Sequence, residues 1–289
     1  MLCQNVGMSR FHADTAFTPG TVPGTFNVDI SDGWWVVGAP NGGYLAGLVA
    51  RALEAGGNPG IDHSDESYKR IRSITFHFMR APKPGPARIE THIERVGRSV
   101  ATVTARLFQD DVVQVFAVAA LGTSRPGPEW SDLVPLTAPD PDEVPSTVAD
   151  PEMAALAAKM GMTIGLRFTL KPWIGSSRPG LLAPGEPGEA TVGGWIRFSD
   201  NAPIDRFGLV TLSDAWAPPI IAKMPGVPPV APTVELTVQV RNEPLDPSDW
   251  VLAKFSSPYA EDGYTVEDAE IWDRHGRLLA TARQLAVVT

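Results

Sequence analysis

No strong candidate for a catalytic nucleophile stands out in this chain. Cys3 is its only cysteine, which excludes an internal disulfide, a cysteine-based zinc site and a dithiol redox motif. Because chain termini are usually poorly ordered, Cys3 is a poor candidate for a catalytic nucleophile. The sequence also lacks the Gly-x-Ser-x-Gly motif that carries the nucleophile of many serine hydrolases. Cysteine-based and serine-hydrolase chemistry through a covalent intermediate are therefore not favoured.

The spacing of the histidines and glycines does not match a metal-binding or cofactor-binding motif. The five histidines are scattered, and no two have the spacing that a zinc-binding helix requires; they are His12, His63, His77, His92 and His275. The glycine pairs Gly42-Gly43 and Gly193-Gly194 lack the lysine and the spacing of a phosphate-binding loop or a dinucleotide fingerprint. They are interpreted as turns and close backbone approaches. No metal and no cofactor are predicted.

Composition narrows the class of protein and of partner. The 289 residues are 43% hydrophobic and 20% charged, which is typical of a globular chain with a substantial core. The net charge is -9 and the pI is near 5.1, so a general nucleic-acid partner is not expected. No apolar run approaches the roughly 20 residues of a membrane span, and the first residues do not resemble a secretory signal. We expect a soluble, cytoplasmic protein.

The first half of the chain predicts one helix followed by a meander of strands. Phe26 to Ile30 and Trp34 to Val37 are rich in β-formers and predict a hairpin. After Pro40-Asn41-Gly42-Gly43, apolar residues recur at helical spacing in YLAGLVARALEA. Four strand-like runs follow, starting at Ser73, Ala87, Val100 and Val112.

The second half repeats this order. Two strand-like runs start at Leu166 and Glu189, and GLVTLSDAWAPPIIAK is apolar at helical spacing until Pro218-Pro219 interrupts it. Four more runs start at Thr233, Trp250, Thr265 and Leu278. The segment between the halves is dense in proline and acidic residues, which is typical of a linker. We predict domains at 1–122 and 163–289 joined by a linker at 123–162; two unrelated α+β domains are the alternative.

One arrangement buries such elements well. An apolar helix followed by a long antiparallel meander is covered when the sheet curls around it. A second copy set edge to edge pairs an otherwise exposed strand edge. We therefore predict an α+β fold in which two long helices are each wrapped by a curved antiparallel sheet, and the two halves form one continuous sheet.

The order of elements and several local motifs resemble the acyl-CoA thioesterase II family, which has two fused hotdog domains. In the first half, NGGYLAGLVARAL resembles the entry to the family's central helix, and SITFHFMRAPKPG resembles the strand and turn after it. The family's catalytic trio is an Asp, a Thr or Ser, and a Gln. By resemblance, LSDAW gives Asp214, PTVELTVQVR gives Thr233 and LLATARQLAVV gives Gln284.

The resemblance implies hydrolysis of an acyl-CoA to a fatty acid and CoA, and further assembly into a homo-oligomer. Thioester hydrolysis needs an activated water and a donor for the carbonyl oxygen. The backbone N–H groups of Gly43 and Tyr44, at the start of a helix, are candidates for that donor. Trp216 is a candidate for binding the acyl chain, as are Trp34, Trp35 and Trp195; each is equally compatible with core packing.

Two other functions stay open. After Thr233 the strand lacks the family's Asp-His pair and aromatic residues, so an acyl-CoA-binding protein with weak or no catalysis is the first alternative. A hotdog enoyl-CoA hydratase is the second. Hydratases with this fold carry a His five residues after their catalytic Asp, whereas Pro219 is the fifth residue after Asp214. Hydration is therefore disfavoured.

Overall fold

A single antiparallel sheet organises the protein. The computed structural model describes residues 8–146, 155, 158–177, 187–224 and 231–288, and within these residues twelve strands pair in the order β1-β2-β4-β5-β6-β3-β9-β12-β11-β10-β8-β7. In chain order the strands are β1 (Phe17–Pro19), β2 (Thr25–Ile30), β3 (Arg70–Phe78), β4 (Gly85–Val96), β5 (Val100–Gln109), β6 (Val112–Gly122), β7 (Phe168–Gly175), β8 (Thr191–Phe198), β9 (Thr233–Val240), β10 (Val251–Glu261), β11 (Tyr264–Asp273) and β12 (Leu278–Val287).

The strand order is the same when counted from either edge. β1 to β6 form one half and β7 to β12 form the other, and each strand of the first half has a counterpart six places later. The halves meet where β3 pairs with β9, with Thr75 opposite Thr237. The hydroxyl groups of these two residues are hydrogen-bonded at 2.8 Å. This pseudo-twofold arrangement is the double hotdog predicted from the sequence.

The central helix of the first half is buried on all sides. It is α2 (Gly42–Gly56), and it is capped by Asn41, whose side chain accepts a hydrogen bond from the Tyr44 N–H. Its apolar residues occur around the whole circumference, as in a helix that is fully enclosed. One cluster of buried side chains extends from this helix through both halves. A shorter helix, α1 (Arg10–Asp14), precedes the sheet.

The helix of the second half is shorter than predicted. α3 spans only Arg206–Leu212, and the chain then turns at Ser213. Pro218 and Pro219 prevent the helix from resuming, since proline lacks the N–H that a helix interior needs, and a 3₁₀ turn forms at Pro219–Lys223 instead. The early end leaves Asp214 on a loop directly after the helix.

Trp34 to Val37 are not a strand. Trp34 ends a 3₁₀ turn, Asp32–Trp34, because the Ser31 hydroxyl caps this turn by accepting from the Gly33 N–H. β2 pairs instead with β1 on one side and β4 on the other.

Only part of the predicted linker lies within the described residues. Residues 123–146 contain no helix or strand. Val144 packs against Trp195, Trp250 and Leu252 of the second half. Most of 147–162 lies outside the described residues, and the domain boundaries stay predictions.

Candidate active site

Asp214 is bound by the helix of the other half. Its Oδ2 accepts a hydrogen bond from the Gly43 N–H at 2.8 Å and another from Asn41 Nδ2 at 3.1 Å. The same Asn41 amide donates to the main-chain oxygen of Asp214 at 2.8 Å. The positive end of the α2 dipole therefore faces the carboxylate.

The glycine pair that opens α2 allows this close approach. A Cβ on Gly43 would lie 2.3 Å from the Thr211 carbonyl oxygen and 3.0 Å from the Asp214 Cβ. A Cβ on Gly42 would lie 2.9 Å from Asp214 Oδ2. Any larger residue at either position would push the loop after α3 away, so the Gly42-Gly43 pair serves packing rather than a special backbone angle.

Gln284 and Thr233 meet beside this carboxylate. Thr233, the first residue of β9, donates its hydroxyl proton to Gln284 Oε1 at 2.8 Å. Gln284 lies in β12, is 5% exposed, and is near enough to the Asp214 carboxyl group to lower its pKa as a hydrogen-bond donor does. The three residues identified by resemblance therefore lie in one cluster, although up to 70 residues separate them along the chain.

A fourth member of the cluster is Glu267, which the sequence prediction missed. It lies opposite Gln284 in the β11–β12 ladder and accepts a hydrogen bond from Gln284 Nε2 at 2.8 Å. The side chain is 4% exposed. The alternation of residues along β11 could have revealed Glu267, because every second residue of this strand lies on its buried face: Thr265, Glu267, Ala269 and Ile271.

Burial gives both carboxyl groups unusual acidities. Desolvation raises the pKa of Asp214 to about 6, although hydrogen bonds from Gly43, Gln284 and Asn41 oppose this rise. Desolvation, with the nearby charge of Asp214, raises the pKa of Glu267 to about 8 against the hydrogen bond from Gln284. Asp214 is therefore the more acidic of the two groups, and near neutral pH the coupled pair favours a single negative charge.

Comparison with known families gives a match in each half of the chain. The model of the acyl-CoA thioesterase N-terminal domain matches residues 31–123, and that of the acyl-CoA thioesterase C-terminal domain matches residues 136–288. The chain belongs to the acyl-CoA thioesterase family.

Individual relatives of this thioesterase-family chain cover almost its whole length. An uncharacterized protein of Mycobacterium tuberculosis is 27% identical in an alignment 281 positions long, which covers 91% of this chain and 90% of that protein. A hotdog-fold protein of unknown function from Alicyclobacillus acidocaldarius superposes with a TM-score of 0.81 at 23% identity, covering 98% of this chain and 99% of the other. For a putative thioesterase II from Thermobifida fusca the TM-score is 0.76 at 27% identity, with the same coverage.

The two N–H groups predicted to polarise a thioester carbonyl both have protein partners. The Gly43 N–H donates to Asp214, and the Tyr44 N–H donates to Asn41 Oδ1 at 2.9 Å. The Tyr44 ring is fully buried, and its hydroxyl donates to the Asp14 carbonyl oxygen. Among the described residues, the Gly42 N–H meets no acceptor, which makes it the available donor in this turn of the helix.

Of the tryptophans predicted to bind the acyl chain, Trp216 is the one that neighbours Asp214. It is partly buried, and its ring centroid lies 6.2 Å from that of Phe255. Trp34 is a core residue stacked on Tyr44. Trp195 packs in a separate cluster with Trp250. Trp35, which is half-buried, contacts the main core cluster.

The described residues contain no group of three His, Cys, Asp or Glu side chains arranged to hold a metal ion. Their helices include none with the length and apolarity to cross a membrane.

Proposed function

We propose that this protein hydrolyses acyl-CoA thioesters to the free fatty acid and CoA, using a water molecule activated by Asp214. Membership of the acyl-CoA thioesterase family supports thioester hydrolysis in general. The observation that carries the specific proposal is the convergence of Asp214, Thr233 and Gln284 at the start of α2. Sequence-distant polar groups that meet in a largely buried cluster are typical of an active site.

The hydrogen bonds suggest how the water is held. The Thr233 hydroxyl donates to Gln284, so its oxygen lone pairs are free to accept a hydrogen bond from the water. Asp214 accepts the second hydrogen of the water and takes this proton as the oxygen attacks the thioester carbonyl carbon. The carbon–sulfur bond then breaks, and the proton passes from Asp214 to the CoA thiolate.

The start of α2 supplies the complementary electrophilic group. As the carbonyl oxygen becomes an oxyanion, the Gly42 N–H and the helix dipole stabilise its charge. The raised pKa of Asp214, about 6, suits a base that must accept a proton near neutral pH and later release it. No cofactor takes part in these steps.

Asp214→Asn tests the proposal directly. The amide cannot accept the proton, but its oxygen can still accept the Gly43 hydrogen bond, so the fold should persist. We expect hydrolysis of a medium-chain acyl-CoA, measured by thiol release, to fall about 10²- to 10⁴-fold while the melting temperature stays nearly constant. Asp132→Asn, on the exposed segment between the halves, is the matched control. Full activity of Asp214→Asn would refute the assignment.

The same assay addresses the alternative functions. Tight acyl-CoA binding by the wild-type protein with no thiol released at any chain length would instead indicate a binding protein. Hydration of an enoyl-CoA would need a proton-transfer group at the position of Pro219, which has none.

We also propose that the protein forms a homo-oligomer and acts in the cytoplasm. Light scattering on the purified protein tests the oligomeric state.

A further inference from the structure

The orientation of the Gln284 amide has to be fixed by its neighbours. Amide oxygen and nitrogen have similar shapes, and a threonine hydroxyl can donate to one or accept from the other, so Thr233 alone does not select an orientation. The ionised Asp214 carboxylate selects one, because it can only accept hydrogen bonds and Gln284 lowers its pKa as a donor does. With Nε2 on that side, the same nitrogen donates to Glu267 Oε1 at 2.8 Å and Gln284 Oε1 accepts from Thr233.

Glu267 lies in an environment that opposes its negative charge. It is buried, and no Lys or Arg forms an ion pair with it among the described residues. Two charged groups act on it: Asp214, across the cluster, and Asp268, the next residue on β11. Asp268 is itself bound by Arg283 on the opposite face of the sheet. Two carboxylates on one buried amide repel each other, so the second ionisation is costly.

We propose that Glu267 is a positioning residue of the active site, whose neutral carboxyl group holds the Gln284 amide with Nε2 toward Asp214 and leaves Asp214 as the only negative charge. This inference rests on the proposed function, because the geometry that it preserves is that of the water-binding cluster. The raised pKa of Glu267, about 8, agrees with a neutral acid at pH 7.

The symmetry of the fold provides independent support for a special role of this position. The pseudo-twofold axis passes between Thr75 and Thr237, so the residue before each of them, Ile74 in the first half and Leu236 in the second, occupies an equivalent position. In the first half, Ile74 of β3 pairs with Ala119 of β6, and Ala119 pairs in turn with Val103 of β5. In the second half, Leu236 of β9 pairs with Gln284 of β12, and Gln284 pairs in turn with Glu267 of β11. The first half therefore has Ala119 and Val103, both buried and apolar, where the second half has Gln284 and Glu267. The fold itself does not require a carboxyl group at this place.

The proposal predicts a bell-shaped dependence of kcat/KM on pH. Activity rises as Asp214 ionises, with a limb near its pKa of about 6. It falls again as Glu267 ionises near its pKa of about 8, because a second negative charge then opposes both the ionised base and the developing oxyanion. A purely structural carboxyl group would produce no such falling limb.

Two variants, Glu267→Gln and Glu267→Ala, separate the effect of the charge state of Glu267 from the effect of its hydrogen bond to Gln284. Glutamine keeps an acceptor oxygen for Gln284 Nε2 but cannot ionise, so the falling limb should disappear. Alanine leaves Nε2 without this acceptor, and we expect kcat to be at least fivefold lower than in Glu267→Gln, with little change in KM. Glu270→Gln, on the same strand but paired with Lys254, is the matched control and should keep the bell shape. A falling limb that persists in Glu267→Gln, or equal kcat values in the two variants, would overturn the proposal.

Infrared difference spectra of the wild type minus Glu267→Gln give a readout that does not depend on activity. We expect the carbonyl band of a protonated carboxylic acid at pH 7, lost as the pH rises through about 8. Absence of that band at pH 7 would also overturn the proposal. If no acyl-CoA were hydrolysed while the band titrated as expected, the proposed function would fail and the charge state of Glu267 would still be established.

Discussion

At the scale of single residues, the cluster depends on complete pairing of one buried amide. Gln284 is 5% exposed, and both its oxygen and its nitrogen have partners. A buried polar group that loses a partner costs about 1–3 kcal/mol, so each neighbour of Gln284 affects its position. The same pairing determines which oxygen lone pairs of Thr233 remain for the water.

Thr233→Val tests this dependence. Valine has nearly the shape of threonine but removes the hydroxyl that donates to Gln284 and, in the proposed mechanism, accepts from the water. We expect kcat to fall about tenfold, the equivalent of roughly 1.4 kcal/mol in the barrier, with a small change in melting temperature. Steady-state kinetics with a medium-chain acyl-CoA measure the effect. Thr233→Ser retains the hydroxyl and should be the more active of the two; the reverse order would contradict this role.

The sequence predicted the members of this site better than their contacts. Resemblance identified Asp214, Thr233 and Gln284, and these residues do lie together. The contact of Asp214 with Gly43 was not predicted, since it joins residues 171 positions apart through the packing of two helices. Glu267 was missed although it alternates with buried residues of β11, because a lone acid in a strand is usually assigned to the exposed face.

At the scale of elements, the contact between α2 and α3 positions Asp214. Gly47 is one turn beyond Gly43 on α2, and a Cβ at this position would lie 2.2 Å from Thr211 Oγ1 and 3.2 Å from the Phe207 carbonyl oxygen. Thr211 is fully buried near the end of α3, three residues before Asp214. Any increase in the separation of the helices here would move Asp214 away from the start of α2.

Gly47→Ala should therefore reduce both stability and activity. Overpacking of this kind costs about 1–3 kcal/mol, and we expect a lower melting temperature together with a lower kcat. The double variant Gly47→Ala/Thr211→Ala removes the clashing hydroxyl and should recover part of both losses. Calorimetry and thiol-release assays on the two single variants and the double variant form a complete cycle. Additive effects of the two substitutions would show that the helices do not meet as described.

The elements themselves were predicted unequally. β5 and β6 begin at the predicted residues, Val100 and Val112, because alternation and the tight turn at Asp110-Asp111 define them locally. The hairpin assigned to Trp34–Val37 was wrong, since β-former content does not reveal that the Ser31 side chain caps a 3₁₀ turn. α3 ends at Leu212, well before Pro218, and its close contact with α2 at Thr211 is not encoded in the segment itself.

At the scale of the whole molecule, neither half contains the site alone. The first half contributes the start of α2, and the second contributes Asp214, Thr233, Gln284 and Glu267. A buried ion pair links the two helices: Arg206, at the start of α3, donates to Glu54 near the end of α2 at 3.0 Å. Glu54 is fully buried and also accepts from a main-chain N–H of β3. The two ends of α2 are therefore both fixed to the second half.

The pseudo-twofold axis predicts one active site per chain rather than two. A duplicated fold has two symmetry-related places for a site, but the first half has Ala119 and Val103 where the second has Gln284 and Glu267. With apolar groups at these two positions, the first half lacks the amide and the carboxyl group that hold the water-binding cluster together in the proposed mechanism. Calorimetric titration of Asp214→Asn with a medium-chain acyl-CoA, which that variant should turn over only slowly, measures the stoichiometry. We expect one molecule bound per chain in any oligomer, and two equivalent sites per chain would mean that binding does not depend on the polar cluster.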